Sequence, residues 1–251
     1  MKSRRTLFVL VLAVTLLMTL FTLPAFALPT FTQLRTALKA AVAEQNGGFG
    51  FNVWATIVDR EGTVQAVAFS GTVRGDQWPG GRVMSAQKAN TANAFSLASL
   101  ALSSANLYSA AQPGGTFFGV QFSNPVSMAV AYSGNAGLFG SGSDPMVNQK
   151  IGGVDVLGGG LALYDKTGKL VGAIGVSGDS SCADHNIAWK VRHKVGFDYV
   201  PSGVSLTRDD NIVYDIVNGI STSGWGHPEC SAEATQIAED LPHTNPISVP
   251  K

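Results

Sequence analysis

The chain of 251 residues carries 17 Lys and Arg against 17 Asp and Glu, is 45% hydrophobic and only 14% charged, and contains 29 Gly and 11 Pro. Such a chain is too apolar for a disordered polypeptide, and glycines without a three-residue period exclude collagen. Zero net charge gives no basic face for neutralising phosphates, so nucleic acid is not an expected partner. The length suits one large domain or two small ones.

The N-terminus opens with basic Lys2, Arg4 and Arg5, continues as an apolar run from Leu7 to Leu23, and ends in Pro24-Ala25-Phe26-Ala27. This is the three-part pattern of a signal peptide spanning residues 1–27, with cleavage expected between Ala27 and Leu28. The protein is therefore expected to be exported, periplasmic or extracellular. An uncleaved anchor is the alternative, in which case the segment is its only membrane contact. Ser3-Arg4-Arg5 also has a weak likeness to a twin-Arg signal. Without residues 1–27 the chain keeps 14 basic against 17 acidic side chains and becomes mildly acidic.

In the mature part, Phe31, Leu34, Leu38, Ala41 and Val42 recur at helical spacing, which predicts a first helix over 31–45. Alternating runs at 51–59 and 63–69 around Arg60-Glu61-Gly62 predict a β-hairpin. Residues 82–108 contain neither Gly nor Pro and read as a long, small-residue second helix. From 111 to 160 the chain turns Gly- and Pro-rich and reads as loops over the core. A second hairpin follows, Leu161–Tyr164 and Leu170–Ser177. Ser181 and Asp184 then form a capping-box pattern for a third helix over 182–195, ending at Gly196. Residues 198–251 are polar and without strong periodicity. The expected fold class is α+β, a single domain over 28–197 in the order α-β-β-α-β-β-α, with an antiparallel sheet and an irregular C-terminal extension.

Cys182 and Cys230 are the two cysteines. In an exported chain a disulfide tying the extension to the domain is the simplest reading; a thiolate ligand or nucleophile ranks below it, because no Cys-x-x-Cys spacing occurs. Gly158-Gly159-Gly160 and Gly172-x-x-Gly175 match no nucleotide motif, and Gly175-Val176-Ser177-Gly178 is one residue short of a nucleophile elbow. His185, Trp189 and His193 share a face of the third helix, but the two histidines lie two turns apart, too far to chelate one ion unaided. His227 would approach that helix if Cys230 bonds Cys182. Met84, Lys88 and Thr91 share a face of the second helix, where Lys88 reads either as a snorkelling stem or as the partner of a ligand carboxylate.

Several segments together resemble the GlcG/HbpS-like haem-binding family. Ser85 to Ala92 is similar to its A-x-x-K-A-x-T-A helix. Gly152-Gly153-Val154 and Gly168 to Gly178 are similar to its glycine-rich stretch, and Asp184 to Ala188 to its D-x-x-x-A helix start. The likeness covers about Phe31 to Phe197; the loop over 111–160 is longer than the family's, and the Cys-containing extension fits a secreted-looking subset. The resemblance implies a homo-oligomeric haem or tetrapyrrole binder acting in haem sequestration, sensing or handling. It implies haem as cofactor, with His185 the leading metal ligand and Lys88, Thr91 and Asp184 at the binding site. A haem-degrading or small-molecule enzyme and a ligand-free oligomeric scaffold are the competing readings, and no catalytic residue is assigned.

Overall fold

The computed structural model describes residues 27–249; the signal-peptide reading falls almost wholly outside them. The α+β class holds. Helix α1 spans Phe31–Val42, strands β1 Trp54–Asp59 and β2 Val64–Phe69, and helix α2 Gly81–Phe95. Three one-turn helices follow: α3 Tyr108–Ala111, α4 Val120–Ser123 and α5 Met128–Ala131. Strands β3 Gly160–Tyr164 and β4 Leu170–Ser177 precede helix α6 Ser181–Val195. A two-stranded β5 Ile216–Val217 and β6 Ile220–Ser221 and helix α7 Ala232–Thr244 complete the chain.

The sheet has the order β2-β1-β4-β3 and is antiparallel throughout. Both faces are covered, so alternate residues of each strand enter different cores. Ala55, Ile57, Leu161, Leu163, Ile174 and Val176 meet α1 and α6. On the other face Trp54, Val58 and Ala173 meet Val83, Ala86 and Ala89 of α2, and Thr56 bonds Ser85 there, Oγ to Oγ at 2.8 Å.

Helix α2 lies unusually close to the sheet. Gly160 stands opposite Gly175 in the β3–β4 register, and a Cβ on Gly175 would come within 1.9 Å of the Ser85 carbonyl oxygen. A Cβ on Gly160 would come within 2.3 Å of the Lys88 carbonyl oxygen. Close packing is therefore what these motif glycines serve, as their mismatch to nucleotide patterns suggests.

Four boundaries differ from the sequence expectations. Helix α1 starts with a capping box, Thr30 Oγ1 accepting from Gln33 N and Gln33 Oε1 from Thr30 N. It stops at Val42 rather than Gln45, because Asn46 Nδ2 donates to the carbonyls of Ala41 and Glu44. The long helix expected over 82–108 ends at Phe95. There Ser96 Oγ donates to Leu102 O and accepts from Leu102 N, and Arg60 donates to the Ser96 carbonyl, a local network that outcompetes helix propagation. The cap of α6 is Ser180, accepting from Ala183 N, not Ser181; Gly196 closes the helix at φ 75° as expected.

The fourth difference is the largest. The extension is not irregular throughout: α7 packs on α6, with Ala234 and Ala238 beside Cys182 and Leu241 in the main core. Its buried residues, Ala234, Ala238 and Leu241, keep helical spacing, but only one of them is large. Cys182 and Cys230 form the expected disulfide, with an S–S distance of 2.03 Å.

Candidate functional site

Helices α2 and α6 begin beside each other at the same end of the sheet, and a cleft of about 120 Å³ opens between them. Lys88, Asp184, Ser177 and Ser181 supply its polar lining, and Trp78, Met84 and Leu157 its apolar lining. Lys88 Nζ lies 2.8 Å from Asp184 Oδ2, and both side chains are buried. The Asp184 carboxylate also accepts from the amides of Asp179 at 2.9 Å and Gly178 at 3.3 Å. Burial pushes its pKa up to about 6, against the opposing pull of Lys88 and of those amides. Asp179 in turn accepts from the amides of Phe49 and Phe51, holding an exposed aromatic row in which the Phe51 and Trp78 rings are 5.4 Å apart.

Across Gly80 lies a second cavity of about 450 Å³, within the range typical of small-molecule sites, whereas the cleft is below it. Its walls are Trp54, Val83, Phe139 and Tyr132, with Arg74 at the rim. Tyr132, Ala136 and Phe139 come from the long segment over 111–160, which Arg82 fixes by a buried ion pair to Asp144 with its guanidinium 3.7 Å from the Phe139 ring centroid. Gly75 and Gly80 both line the cavity, neither has a positive φ, and a Cβ on either would meet nothing within 4 Å. Backbone geometry does not require glycine at these places; their effect is to leave the wall without side chains.

The sequence-derived residues divide between these surroundings. Lys88 and Asp184 sit together in the cleft. Thr91 does not line it: its hydroxyl donates to Gln87 O and accepts from Asp155 N, pinning the chain at the end of the long segment. His185 points the other way, into the interior under the extension. Its Nε2 lies 3.1 Å from both Asn211 Oδ1 and the Ile212 amide, Nδ1 has no partner, and burial pulls its pKa down to about 3. His193 pairs with Asp198 at 2.7 Å, and His243 is exposed in the last turn of α7.

His227, by contrast, is brought to α6 by the disulfide three residues away, as its spacing from Cys230 suggests. Its Nε2 lies 2.8 Å from Ser181 Oγ and its Nδ1 2.7 Å from the Pro228 carbonyl, with the Tyr108 ring against it at 5.0 Å. Burial pulls His227 down to about 4, so it is neutral near pH 7. Among the described residues no group of three or more His, Cys, Asp or Glu side chains is arranged to hold a metal ion, and no helix is long and apolar enough to cross a membrane. Sequence reasoning missed Arg74, Tyr132 and Phe139, because an irregular loop carries no periodicity that would place them.

A three-layer α+β domain with a charged cleft and an adjoining aromatic cavity is thus the class that fold and site define. The chain belongs to the family described as haem degrading protein HbpS-like, whose model matches residues 29–192. Solved structures with a similar chain path include a PduOC:heme complex (22% identity, TM-score 0.46, covering 68% of this chain and 94% of that one). Others are the Klebsiella pneumoniae protein ORFY (19%, 0.45, 69% and 97%) and HbpS (19%, 0.39, 68% and 92%). No curated protein matches the chain significantly.

Proposed function

We propose that this protein is exported and binds haem or a related tetrapyrrole, in sequestration, sensing or handling. Membership of a family described by haem degradation is the observation that carries the reading. Haem requires an apolar slot, an axial donor and cations for its propionates. The residues around the larger cavity fit those needs: Trp54, Val83 and Phe139 as walls, Arg74 as a propionate partner, and the exposed Tyr132 phenol as an oxygen donor of the type used by catalase. The side-chain-free wall at Gly75 and Gly80 supports the same site. His185 does not fit an axial role, since its ring is enclosed and engaged with Asn211 and Ile212. Lys88 is buried and paired with Asp184 in the neighbouring cleft and is not among the residues around this cavity. Bound haem would supply the iron and its redox chemistry; the chain's own residues would hold and orient it and limit water.

Titrating the purified protein with haemin is expected to give a saturable Soret shift at low micromolar concentration, weakened by Arg74→Ala and altered in position by Tyr132→Phe. An unchanged Soret band would overturn the proposal. The family description also favours a second reading, turnover of the bound haem; a time-dependent loss of the Soret band with an added reductant would separate an enzyme from a passive binder. Export is supported by the basic, apolar and Ala-x-Ala pattern and by a disulfide suited to an oxidising compartment. Sequencing of the protein recovered outside the cytoplasm should start at Leu28. The exposed aromatic row of Phe49, Phe51 and Trp78 supports self-association, to be read by light scattering.

A further inference from the structure

We propose that Ser181 and His227 form a nucleophile and general base that hydrolyse small acyl esters or thioesters in the Lys88 cleft, an activity independent of tetrapyrrole binding. The protons on this pair follow from its neighbours. The Pro228 carbonyl can only accept, so His227 Nδ1, 2.7 Å away, carries the hydrogen and Nε2 presents its lone pair. The Gly158 amide donates to Ser181 Oγ at 2.6 Å, so the hydroxyl hydrogen is directed at His227 Nε2, 2.8 Å from Oγ. A base orients the nucleophile and a third group fixes the base's tautomer, which is the arrangement that activates a serine. Here a backbone carbonyl replaces the usual carboxylate.

The surroundings suit acyl transfer. Ser181 is partly exposed and lines the cleft, whereas His227 is buried behind it, shielded by Tyr108. Gly158 permits the close approach of its loop, since a Cβ there would fall 2.3 Å from the Ser181 carbonyl oxygen. Lys88 lines the same cleft; one of its three N–H donors is committed to Asp184, leaving others for an oxyanion. The small volume selects an acyl group of a few atoms, with the rest of the substrate lying outward against Trp78 and Met84.

In the reaction, Ser181 Oγ attacks the acyl carbonyl while its proton passes to His227 Nε2. The tetrahedral intermediate collapses, the bond from acyl carbon to the leaving oxygen or sulfur breaks, and the leaving group takes the proton from Nε2. Water then attacks the acyl-serine, gives a proton to Nε2, and the carboxylic acid departs as Oγ recovers that proton.

Purified protein treated with a fluorophosphonate and with p-nitrophenyl acetate, followed by peptide mass analysis, tests the assignment. The expected result is an adduct on Ser181 and not on Ser180, absent in Ser181→Ala, with His227→Gln slowing modification about 100-fold or more. Reduction of the Cys182–Cys230 bond should slow it as well, because the loop carrying His227 loses its anchor. An unmodified Ser181 in the wild-type protein, or a folded His227→Gln variant reacting at the wild-type rate, would overturn the proposal. The position of the adduct in the unaltered protein decides the matter even where a variant fails to fold.

Discussion

Charged side chains are few in this protein, and several of the cations work inside it. Arg82, Lys88 and Arg192 are buried on helices, and each meets an aspartate from a distant segment: Asp144, Asp184 and Asp210. Arg192 is bidentate to Asp210 at 2.6 and 2.8 Å and also donates to the Ala162 carbonyl. Removing one member strands the other, so Arg192→Met should lower stability by about 3–5 kcal/mol in urea melts, and a paired apolar replacement of both should recover most of it. No periodicity reveals such pairs, because a charged residue on a helix reads as a solvated one until its partner is known. The buried histidines set a pH dependence. His185 and His227 are pulled down to about 3 and 4, below the ordinary 6.5, so the unfolded chain binds more protons than the folded one between those values. Their contribution is complete above pH 6.5 and is lost as pH falls toward 4. Asp184, pushed up to about 6, works in the opposite sense over about pH 4 to 6. The difference is therefore the decisive reading: the fall in melting temperature between pH 7 and 4.5 should be shallower in His227→Gln than in wild type.

At the scale of elements, helix α2 and its glycine seat make the sharpest case. Gly175→Ala would drive a methyl group into the Ser85 carbonyl, and relief requires moving α2 off the sheet. A loss of about 1–3 kcal/mol is expected, visible as a lower urea midpoint at unchanged slope. Both hairpins, the start of α2 and the end of α6 were legible, since alternation, turn glycines and a left-handed cap are local signals. The end of α2 was not. Residues 96–108 have helix-compatible composition, yet Ser96, Ser103 and Asn106 turn their side chains onto nearby backbone and choose a different path. The one-residue error at the α6 cap has a plainer cause: Ser180 and Ser181 are adjacent, and only the backbone shows which one bonds Ala183 N. That distinction frees Ser181 for His227 and the cleft.

Over the whole molecule, the disulfide and the extension act together. The bond spans a sequence separation of 48 residues, and reducing it should cost about 4 kcal/mol on the chain-entropy view, seen as a drop in thermal midpoint with dithiothreitol. The cysteine pairing and the α+β order could be read in advance, and Lys88 and Asp184 could be singled out, but not that they pair with each other. The aromatic cavity could not, since it exists only where a loop of the long segment folds against β1 and α2. Leu241 of α7 shares its core cluster with Leu34 of α1. Bringing together two segments so far apart in sequence is a slow step, because the long loop between them must close before the contact rewards it. The bond between Cys182 and Cys230 holds α7 beside α6 and shortens that search, so the oxidised chain reaches its last contact sooner than the reduced one.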